Sequence, residues 1–420
     1  MVDPTRRSKL TSCAIFAAIP FVVILGLVIV FLINNRPLNI HVPTPKMPKD
    51  NGWDHFVRAA NLIKGVGQAS STQPSSYWTL ARHERFMQDN AAAIAALRLG
   101  LTKPYMHPPI RDFQSLDFTS YLRIRELARV MVSASIYYDK IGEPYAASSA
   151  RMDALELGAT IPRGGPLITD IEGSSIQLIA LRGVESQILK LSADEPSAIA
   201  NRLNRIESKR VPYADVVLEE GRACAAFDAV EMRSTIKPVP YPMSGLPGAS
   251  SKVDVAKYAR YLLQNKTALL RENRDYYTSL AAECRKPYTG KSRIRAPKNL
   301  LFRSLFQSMA KLYSDDGYAA HLRPQAVTAV LRTEIALLRY HGDHGKYPAG
   351  LTHLTPKYLK AVPVDPFGQG KLLIYRPATG GKSFLLYSRG MDMKDDGGKP
   401  ANWTWIGSKT KGDYVAGRLD

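Results

Sequence analysis

An uncharged apolar run near the N-terminus constrains this chain more than any other feature. Residues 13–33 read CAIFAAIPFVVILGLVIVFLI, which is 21 residues without a charge. A helix rises about 1.5 Å per residue, so this run would cover about 30 Å, the thickness of the hydrocarbon core of a bilayer. Pro20 inside the run is compatible with a membrane helix. The sequence therefore predicts a transmembrane helix at residues 13–33, with membrane lipid as its partner.

Two kinds of cleaved N-terminal segment are the competing interpretations of this run. A secretory signal peptide usually has an apolar region of about 7–15 residues and then a small-x-small cleavage site, whereas here NNRPL follows the run. The segment LTSC at 10–13 has the pattern of a lipoprotein cleavage box, but its cysteine precedes the apolar region instead of following it. The pattern therefore favours an uncleaved signal anchor.

The charges on either side of the run predict its orientation. Arg6, Arg7 and Lys9 lie directly before it, while only Arg36 lies close behind it. The positive-inside rule then places the N-terminus in the cytoplasm. Residues 1–33 are therefore predicted to form a cytoplasmic stub and membrane anchor, and the bulk of the chain is predicted to be extracytoplasmic.

The composition limits which classes of partner are expected for the part of the chain after the predicted span. The chain has 57 Lys and Arg against 37 Asp and Glu, a formal net charge of +20, which favours polyanionic surroundings such as anionic lipid or cell-wall polymer. The basic residues are dispersed and match no nucleic-acid motif, so nucleic acid is not predicted as a partner. A hydrophobic content of 45% is enough to bury a core, and the length allows two or three domains.

The chain after the span divides by pattern into a linker and a long helical region. Residues 34–52 carry four prolines and little periodicity, as in an extended linker. Residues 53–323 have apolar residues near helical spacing in successive segments and are predicted to form an α-helical domain. The predicted helices lie at 53–66, 84–101, 115–142, 143–158, 174–191, 196–209, around 253–284 and around 298–314.

The third and fourth of these helices are predicted to pack as a hairpin. The first of the pair ends at Gly142 and the second at Gly158, because glycine permits a tight turn. Gly142, Tyr145 and Ala154 have the relative spacing of three tetratricopeptide positions, but only one such unit is present and a stable array needs about three. Helical-hairpin packing is therefore the prediction, and a true repeat array is the alternative.

Three polar features of the helical region each have a structural and a functional interpretation. The Arg and the two glycines of IPRGGP (161–166) could form an anion nest, but no phosphate-loop context surrounds them, so a turn is predicted. Glu219 and Glu220 are expected on a solvated helix face. Cys224 and Cys284 could form a disulfide in an oxidising compartment or stay separate thiols in helices.

From residue 324 the pattern changes to that of an α+β module. PQAVTAVLRTEIALLRYHGDHG is an amphipathic helix, and the strand-like KLLIYR and KSFLLYS are separated by PATGG, a hairpin signal. NWTWIG (402–407) is a candidate third strand. The predicted fold class is mainly α with a C-terminal α+β module: one N-terminal transmembrane helix, an α-helical hairpin domain, and a small antiparallel sheet within residues 324–420.

Aromatic, proline, glycine and aspartate residues follow one another in a characteristic order within residues 325–400. They are Tyr347, Pro348, Leu351, Leu354, Pro356, Tyr358, Leu359, Pro363, Asp365, Pro366, Phe367, Gly368, Tyr375, Tyr387, Ser388, Gly390 and Asp392. In this order they resemble the globular end of the major pseudopilin of type II secretion. The resemblance implies a pseudopilin-like antiparallel sheet, a bound calcium ion, and protein partners in a secretion or envelope assembly.

The helical region is similar to the middle part of uncharacterised membrane-anchored bacterial proteins that end in the same module. This similarity implies a single-pass protein of the bacterial inner membrane. The N-terminal segment differs from that of a pseudopilin, because residues 1–33 contain no Gly-Phe cleavage site and no Glu. Residues 34–323 also separate the span from the module. Polymerisation into a pseudopilus is therefore not predicted.

The segment FLLYSRGMDMKDDGGKP (384–400) is the candidate calcium loop. Calcium takes about six to eight oxygen ligands from carboxylates and carbonyls. The resemblance supports Asp392 together with one of the two later aspartates, and the full candidate set is Asp392, Asp395, Asp396, Ser388 and the carbonyl of Leu386. An EF-hand is excluded by the lysine and tryptophan at its third and twelfth positions.

A polar Asp-Gly turn between strands is the alternative interpretation of this loop. Gly397 and Gly398 would allow a tight path with or without an ion. Arg389 and Lys394 carry positive charge close to the aspartates and would weaken a cation site. If calcium binds this loop, its predicted role is to brace the loop between strands, with no part in chemistry.

The other candidate for chemistry is HGDHGKYP, which contains His341, Asp343 and His344. Two histidines near an aspartate can bind zinc or transfer protons, but these residues straddle a predicted helix C-terminus, where histidine is favoured by the helix dipole. The structural interpretation is preferred. No hydrolase, nucleotide or redox motif occurs in the chain.

The sequence thus favours a non-enzymatic, membrane-anchored extracytoplasmic scaffold or interaction protein in a secretion- or envelope-related role. The alternative is a protein whose helical hairpins bind a peptide or cell-wall polymer, with the C-terminal module as a cap. An envelope hydrolase is the third and weakest hypothesis.

Overall fold

The computed structural model of the chain describes residues 4–34, 42, 44–65, 78–111, 115–192, 194–233, 265–290, 317–401 and 410–419. Side chains are not described for residues 4–18 and 228–233. Three sequence predictions lie outside the described residues: the helix around 298–314, the start of the helix around 253–284, and the candidate strand at 402–407.

The described part of the chain is mainly helical with a small antiparallel sheet, which confirms the coarse fold class. The helices are α1 (Pro4–Asn34), α2 (Gly52–Asn61), α3 (Leu80–Asp89), α4 (Ala91–Leu101), α5 (Phe118–Lys140), α6 (Pro144–Thr160), α7 (Leu167–Leu181), α8 (Glu185–Ile188), α9 (Glu195–Ser208), α10 (Tyr213–Arg233), α11 (Lys266–Cys284) and α12 (Gly317–His344). The strands are β1 (Ile374–Pro377), β2 (Phe384–Ser388) and β3 (Tyr414–Val415).

Helix α1 contains the predicted membrane span. Most of its large apolar side chains from Ile19 to Ile33 are exposed, and Phe21 is exposed to 69%. Across the ranges given above, no helix meets the combined requirements of length and apolar character for crossing a membrane. The transmembrane anchor therefore stays a prediction.

Polar side chains cap several of the helices at their N-termini. The Thr79 hydroxyl accepts a hydrogen bond from the backbone of Arg82 at the start of α3, and Asp117 accepts one from Ser120 at the start of α5. Each cap satisfies a backbone N–H group that has no partner within its helix. These short polar residues fix where the helices begin.

Two helices predicted as continuous are divided. The helix predicted over 174–191 is interrupted after Leu181, between α7 and α8, and the other is divided at Asn90. The prediction of a single helix over 84–101 is wrong, because Asn90 leaves the helical conformation between α3 and α4. Its buried side-chain amide donates to the carbonyl of Phe86 at 2.9 Å, and its side-chain oxygen accepts from the backbone of Lys64. This bonding ties the break to the end of α2 and explains why a polar residue is buried there.

Helices α5 and α6 pack along each other as the predicted hairpin. The turn between them uses Gly142 at φ +82°, a left-handed conformation that glycine adopts without strain. The predicted end of the second helix at Gly158 is wrong, because α6 continues to Thr160. The predicted turn at 161–166 then follows and leads into α7.

The glycine that was expected to end α6 instead lies where α6 crosses α7. A methyl group at Gly158 would lie 2.6 Å from the carbonyl oxygen of Gly173 on α7, and one at Gly173 would lie 2.5 Å from that of Gly158. Two glycines facing each other thus let the two backbones touch. The close approach offsets the roughly 1 kcal/mol that glycine costs inside a helix.

The three strands form an antiparallel sheet in the order β1-β2-β3. The predicted hairpin is confirmed, with Ile374 opposite Tyr387 and Pro377 opposite Phe384. The third strand pairs Tyr387 with Val415, and it lies later in the chain than the candidate strand predicted from sequence. The central strand β2 is therefore paired on both sides.

Helix α12 joins the sheet to the helical layers. It packs against α7 and α9 and also against β2 and β3. A single cluster of buried hydrophobic residues runs from Phe56 in α2 to Leu419 near the C-terminus. The boundary predicted at residue 324 falls inside α12, so the same helix contributes to both predicted domains.

A second, smaller hydrophobic cluster lies where α10 and α11 pack together. It contains Cys224 and Cys284, which are both buried and are not joined in a disulfide. The Cys224 sulfur lies 3.3 Å from the Tyr277 hydroxyl, and burial raises the pKa of Cys284 to about 12. Of the two alternatives, the structure has separate thiols in helices.

Candidate functional site

A surface cleft lies over α6, between α4 on one side and α9 on the other. Its volume is about 620 Å³, within the range of about 300–1,000 Å³ that is typical of ligand sites. Its lining residues are Arg98, Leu101, Thr102, Tyr145, Ser149, Asp153, Glu156, Ala198, Ile199, Asn201, Arg202 and Arg205.

The lining residues of each helix recur at helical spacing. On α6 they are Tyr145, Ser149, Asp153 and Glu156, which are four, four and three residues apart and so lie on one face. On α9, Ala198 begins a similar series that continues through the two arginines. The floor and one wall of the cleft therefore follow from the helical period.

A buried carboxylate connects the two walls of the cleft. Asp153 is buried, and it accepts a hydrogen bond from Arg98 Nε at 2.9 Å while its other oxygen accepts from Arg202. The Arg202 guanidinium also donates to Ser149 and Glu156. Because the buried carboxylate is held by two guanidinium groups, it leaves little negative charge facing the cleft.

Two arginines of the cleft retain free hydrogen-bonding capacity toward solvent. Arg98 binds Asp153 through Nε alone among the described contacts, and 49% of its side chain is exposed. Arg205 is exposed, and its side chain has no hydrogen bond or ion pair with the described part of the chain. Glu156, the remaining acid of the cleft, is paired with Arg202 and Lys209. The cleft thus presents net positive charge to a ligand.

The acidic loop is held by hydrogen bonds within the chain. Asp395 accepts from the Tyr387 hydroxyl at 2.8 Å and from the backbone of Gly397 at 2.9 Å. Asp392 accepts from the backbone of Lys394, and Asp396 accepts from Gly412. The Asp395 carboxylate also lies 3.5 Å from the Arg376 guanidinium, so it has three partners within the chain.

Asp413 joins this loop although sequence reasoning did not select it. Its carboxylate accepts from the backbone of Gly398 at 2.8 Å. Burial, together with the nearby charges of Asp396 and Asp395, raises the pKa of Asp413 to about 6. Asp396 likewise contributes to raising the pKa of Asp392, after burial. The carboxylates of Asp392, Asp396 and Asp413 therefore interact electrostatically.

The two other predicted calcium ligands have internal partners. The Ser388 hydroxyl donates to Asp365 at 2.7 Å, and the Leu386 carbonyl accepts from the backbone of Ala416 at 3.0 Å. Asp365 is buried and also accepts from the side chain of Arg389 at 3.1 Å. Within the described ranges, no group of three or more His, Cys, Asp or Glu residues is arranged to hold a metal ion.

His341, Asp343 and His344 lie at the end of α12, as their sequence position predicted. The Asp343 carboxylate accepts hydrogen bonds from Lys357 and from the Tyr358 hydroxyl, both at 2.6 Å. These bonds lower the pKa of Asp343. The triplet therefore ties the helix end to the segment that follows it.

The expectation of a solvated face is wrong for Glu220. Its side chain is buried, and one carboxylate oxygen accepts a hydrogen bond from the backbone of Leu167 at 2.8 Å. The carboxylate of α10 thus satisfies the free N-terminal N–H group of α7. Its neighbour Glu219 is paired with Arg222 as expected of a surface residue.

A buried carboxyl pair joins the C-terminus to the helical layers. Glu185 in α8 accepts hydrogen bonds from the backbone of Gly417 at 2.9 Å and of Leu419 at 3.1 Å. Glu334 in α12 hydrogen bonds to Glu185, and burial raises the pKa of Glu334 to about 9. Glu334 is therefore protonated at neutral pH and donates to the Glu185 carboxylate.

Comparison of the chain with protein-family models, with curated proteins and with solved structures gives no match. The resemblance of residues 325–400 to a pseudopilin head stays a prediction. Function is therefore inferred from the geometry of the molecule.

Proposed function

We propose that this chain is a membrane-anchored, extracytoplasmic interaction protein whose helical layers and C-terminal module form one rigid platform. The observation that carries the proposal is the continuous hydrophobic cluster from Phe56 to Leu419, to which α12 contributes buried residues while it contacts both the helices and the sheet. A module joined through a shared core has no freedom to reorient independently. The platform presents fixed surfaces to a partner.

The polar contacts between module and helical layers support the same proposal. Glu185 binds two backbone N–H groups of the last turn of the chain. Arg323 is 2% exposed, and its guanidinium lies 6.0 Å from the ring of Tyr414 on β3. Such buried contacts at an interface oppose separation, because separating the partners would leave charged or polar groups unpaired.

The N-terminal helix supports the anchoring part of the proposal. Residues 13–33 carry no charge, and the large apolar side chains of α1 beyond residue 18 are mostly exposed to solvent. An exposed apolar helix of this kind is stabilised by a lipid environment. The flanking basic residues favour a cytoplasmic N-terminus.

The pseudopilin-like sequence order supports a secretion- or envelope-related role without catalysis. Calcium remains part of this proposal as a brace for the acidic loop. Asp392, Asp396 and Asp413 are its proposed ligands, because Asp392 and Asp413 both lie close enough to Asp396 for its charge to raise their pKa values. Asp395 is the weaker candidate because it already binds Tyr387 and Gly397.

The proposal is tested by the membrane topology of the full chain in bacterial cells. We expect the protein to remain in the membrane pellet after carbonate extraction, and protease added to spheroplasts to digest it beyond the anchor. A variant with Val23→Arg and Leu27→Arg should lose this retention, because each arginine costs about 2.5–3.5 kcal/mol at the centre of a span.

Two results would contradict the topology. The first is recovery of the wild-type chain in the soluble fraction. The second is resistance to protease in spheroplasts, with digestion only after lysis. A Leu99→Arg variant is the matched control, because Leu99 is an exposed leucine outside α1 and its substitution should leave retention unchanged.

A further inference from the structure

We infer that the cleft over α6 binds an extended acidic peptide whose carboxylates pair with Arg98 and Arg205. This binding site goes beyond the proposed anchoring and platform roles and does not depend on them. It rests on the charge of the cleft walls, on the free hydrogen-bonding capacity of two arginines and on the apolar residues between them.

The charge of the cleft selects an anionic ligand. The acids of the cleft, Asp153 and Glu156, are already paired with Arg202, and Lys209 adds a further positive charge beside Glu156. Arg98 and Arg205 on the two opposite walls retain guanidinium N–H groups that face solvent. Guanidinium groups bind carboxylates through paired hydrogen bonds, which gives both charge and geometric complementarity.

The two walls hold their arginines in different ways. Arg98 is fixed by its Nε bond to the buried Asp153, which leaves its terminal nitrogens directed elsewhere. Arg205 lies one helical turn after Arg202 on α9, and Arg202 is itself fixed by Ser149 and Asp153. The fixed neighbours position the two walls before a ligand arrives, which lowers the entropy lost on binding.

The apolar part of the lining favours a peptide over a glycan. Leu101 and Ala198 contribute apolar surface above the buried Ile199, and Tyr145 is 41% exposed at one end of the cleft. An extended peptide alternates its side chains between two directions. Acidic side chains can therefore reach the arginines while apolar ones contact the lining. A polymer of hydroxylated sugars would leave this apolar surface without a complementary partner.

Fluorescence anisotropy of the full-length protein in detergent micelles tests the inference. The probe is a fluorescein-labelled peptide of alternating Glu and Leu residues, measured at physiological ionic strength beside the same peptide with Gln in place of Glu. We expect the Glu peptide to bind more tightly. Arg205→Gln and Arg98→Gln should each weaken its binding about tenfold, the loss that corresponds to one charged hydrogen-bonding partner.

A matched variant separates the cleft from the general basic charge of the protein. Arg271→Gln removes the same charge from an exposed position on α11, a helix that does not line the cleft. It should change affinity less than twofold. Arg205→Gln is the more direct of the two cleft variants, because the exposed Arg205 side chain makes no hydrogen bond or ion pair within the described ranges.

Three outcomes would overturn the inference. Equal losses from Arg271→Gln and Arg205→Gln would mean nonspecific attraction to a basic protein. Equal affinity for the Gln peptide would remove the role of the carboxylates. Tighter, Arg205-dependent binding of polygalacturonate than of the Glu peptide would assign the cleft to an anionic glycan. None of these results would affect the topology expected of the membrane anchor.

Discussion

At the scale of single residues, the buried carboxyl groups carry the clearest consequences. Glu334 and Glu185 share a hydrogen bond in the interior, and Glu185 in turn holds the C-terminal backbone. The pKa of Glu334 is raised from its usual value to about 9, mainly by burial and then by the charge of Glu185. The folded state therefore keeps a proton that the unfolded chain releases above about pH 4.5.

This difference makes stability fall as the pH rises. Between the unfolded pKa and the folded pKa of Glu334, the folded state binds about one more proton than the unfolded state, so the free energy of unfolding decreases by about 1.4 kcal/mol per pH unit. The stabilisation is complete below about pH 4.5 and is lost as the pH approaches 9.

Glu334→Gln should remove this dependence, because glutamine can still donate a hydrogen bond to Glu185 without titrating. We expect the variant to resemble the wild type near pH 5 and to be more stable by about 4 kcal/mol near pH 8. Urea unfolding at several pH values measures the difference. Glu84→Gln, at an exposed position on α3, is the control. Equal pH slopes for the wild type and Glu334→Gln would contradict the assignment.

The sequence contains a signal for such buried acids, although it does not reveal their partners. Glu220 follows Val216 and Val217 and precedes Cys224 at helical spacing, so it lies on the apolar stripe of α10. Glu334 has the same relation to Val330, within α12. An acid on an apolar stripe is a candidate for burial. The partner of Glu334 is Glu185, far away in the sequence, and no local pattern identifies it.

At the scale of elements, helix existence was predictable and helix ends were less so. Gly142 and Gly158 are both preceded by long helical patterns, yet only Gly142 adopts a positive φ and ends its helical run. Gly158 stays inside α6 and faces a glycine of α7, where the absence of both side chains lets the two helices touch. The sequence gives the residue type at both positions, but the crossing of two helices decides which glycine ends a helix.

The acidic loop shows a similar limit. The loop and the hairpin before it were predictable from the turn and strand signals. The contribution of Asp413 was not, because it reaches the loop through the pairing of β3 with β2. Asp365 could have been recognised as structural only from its contacts with Ser388 and Arg389.

Calcium binding to this loop is a prediction at the same scale. The melting temperature of the full-length protein should rise by about 2 °C or more in 1 mM calcium relative to EDTA, because a ligand that binds only the folded state stabilises it. Magnesium at equal concentration should have less effect, since it prefers a smaller octahedral site. Asp396→Asn should abolish the calcium shift.

The absence of any shift at millimolar calcium would leave the loop as a polar turn. The loop can be held without an ion, because its described carboxylates already accept hydrogen bonds from backbone N–H groups of the chain. The thermal shift thus distinguishes the two interpretations directly.

At the scale of the whole molecule, α12 packs against both the helical layers and the C-terminal sheet, which the sequence pattern predicted to be separate domains. Its pattern predicted an amphipathic helix at the start of a separate module. In the structure it begins at Gly317 and packs against α7 and α9 as well as against the sheet. Amphipathic periodicity predicts that a helix has a buried face, but the elements that cover it are set by tertiary packing.

The cleft belongs to this scale because three helices from different parts of the chain form it. The sequence-based hypothesis that helical hairpins bind a ligand applies to this region of the chain but named no binding residues. It did not identify Arg98 of α4 and Arg202 of α9, which both pair with Asp153 on α6.

The central claim is that the helical layers and the C-terminal module are one structural unit, and native-state hydrogen exchange measures this directly. Exchange of full-length protein in rising urea, followed by mass spectrometry, reports the opening of each segment. The amides of β2 (Phe384–Ser388) and of α6 (Pro144–Thr160) should lose protection at the same urea concentration. Loss of protection in β2 at low urea, with α6 still protected, would contradict a single platform.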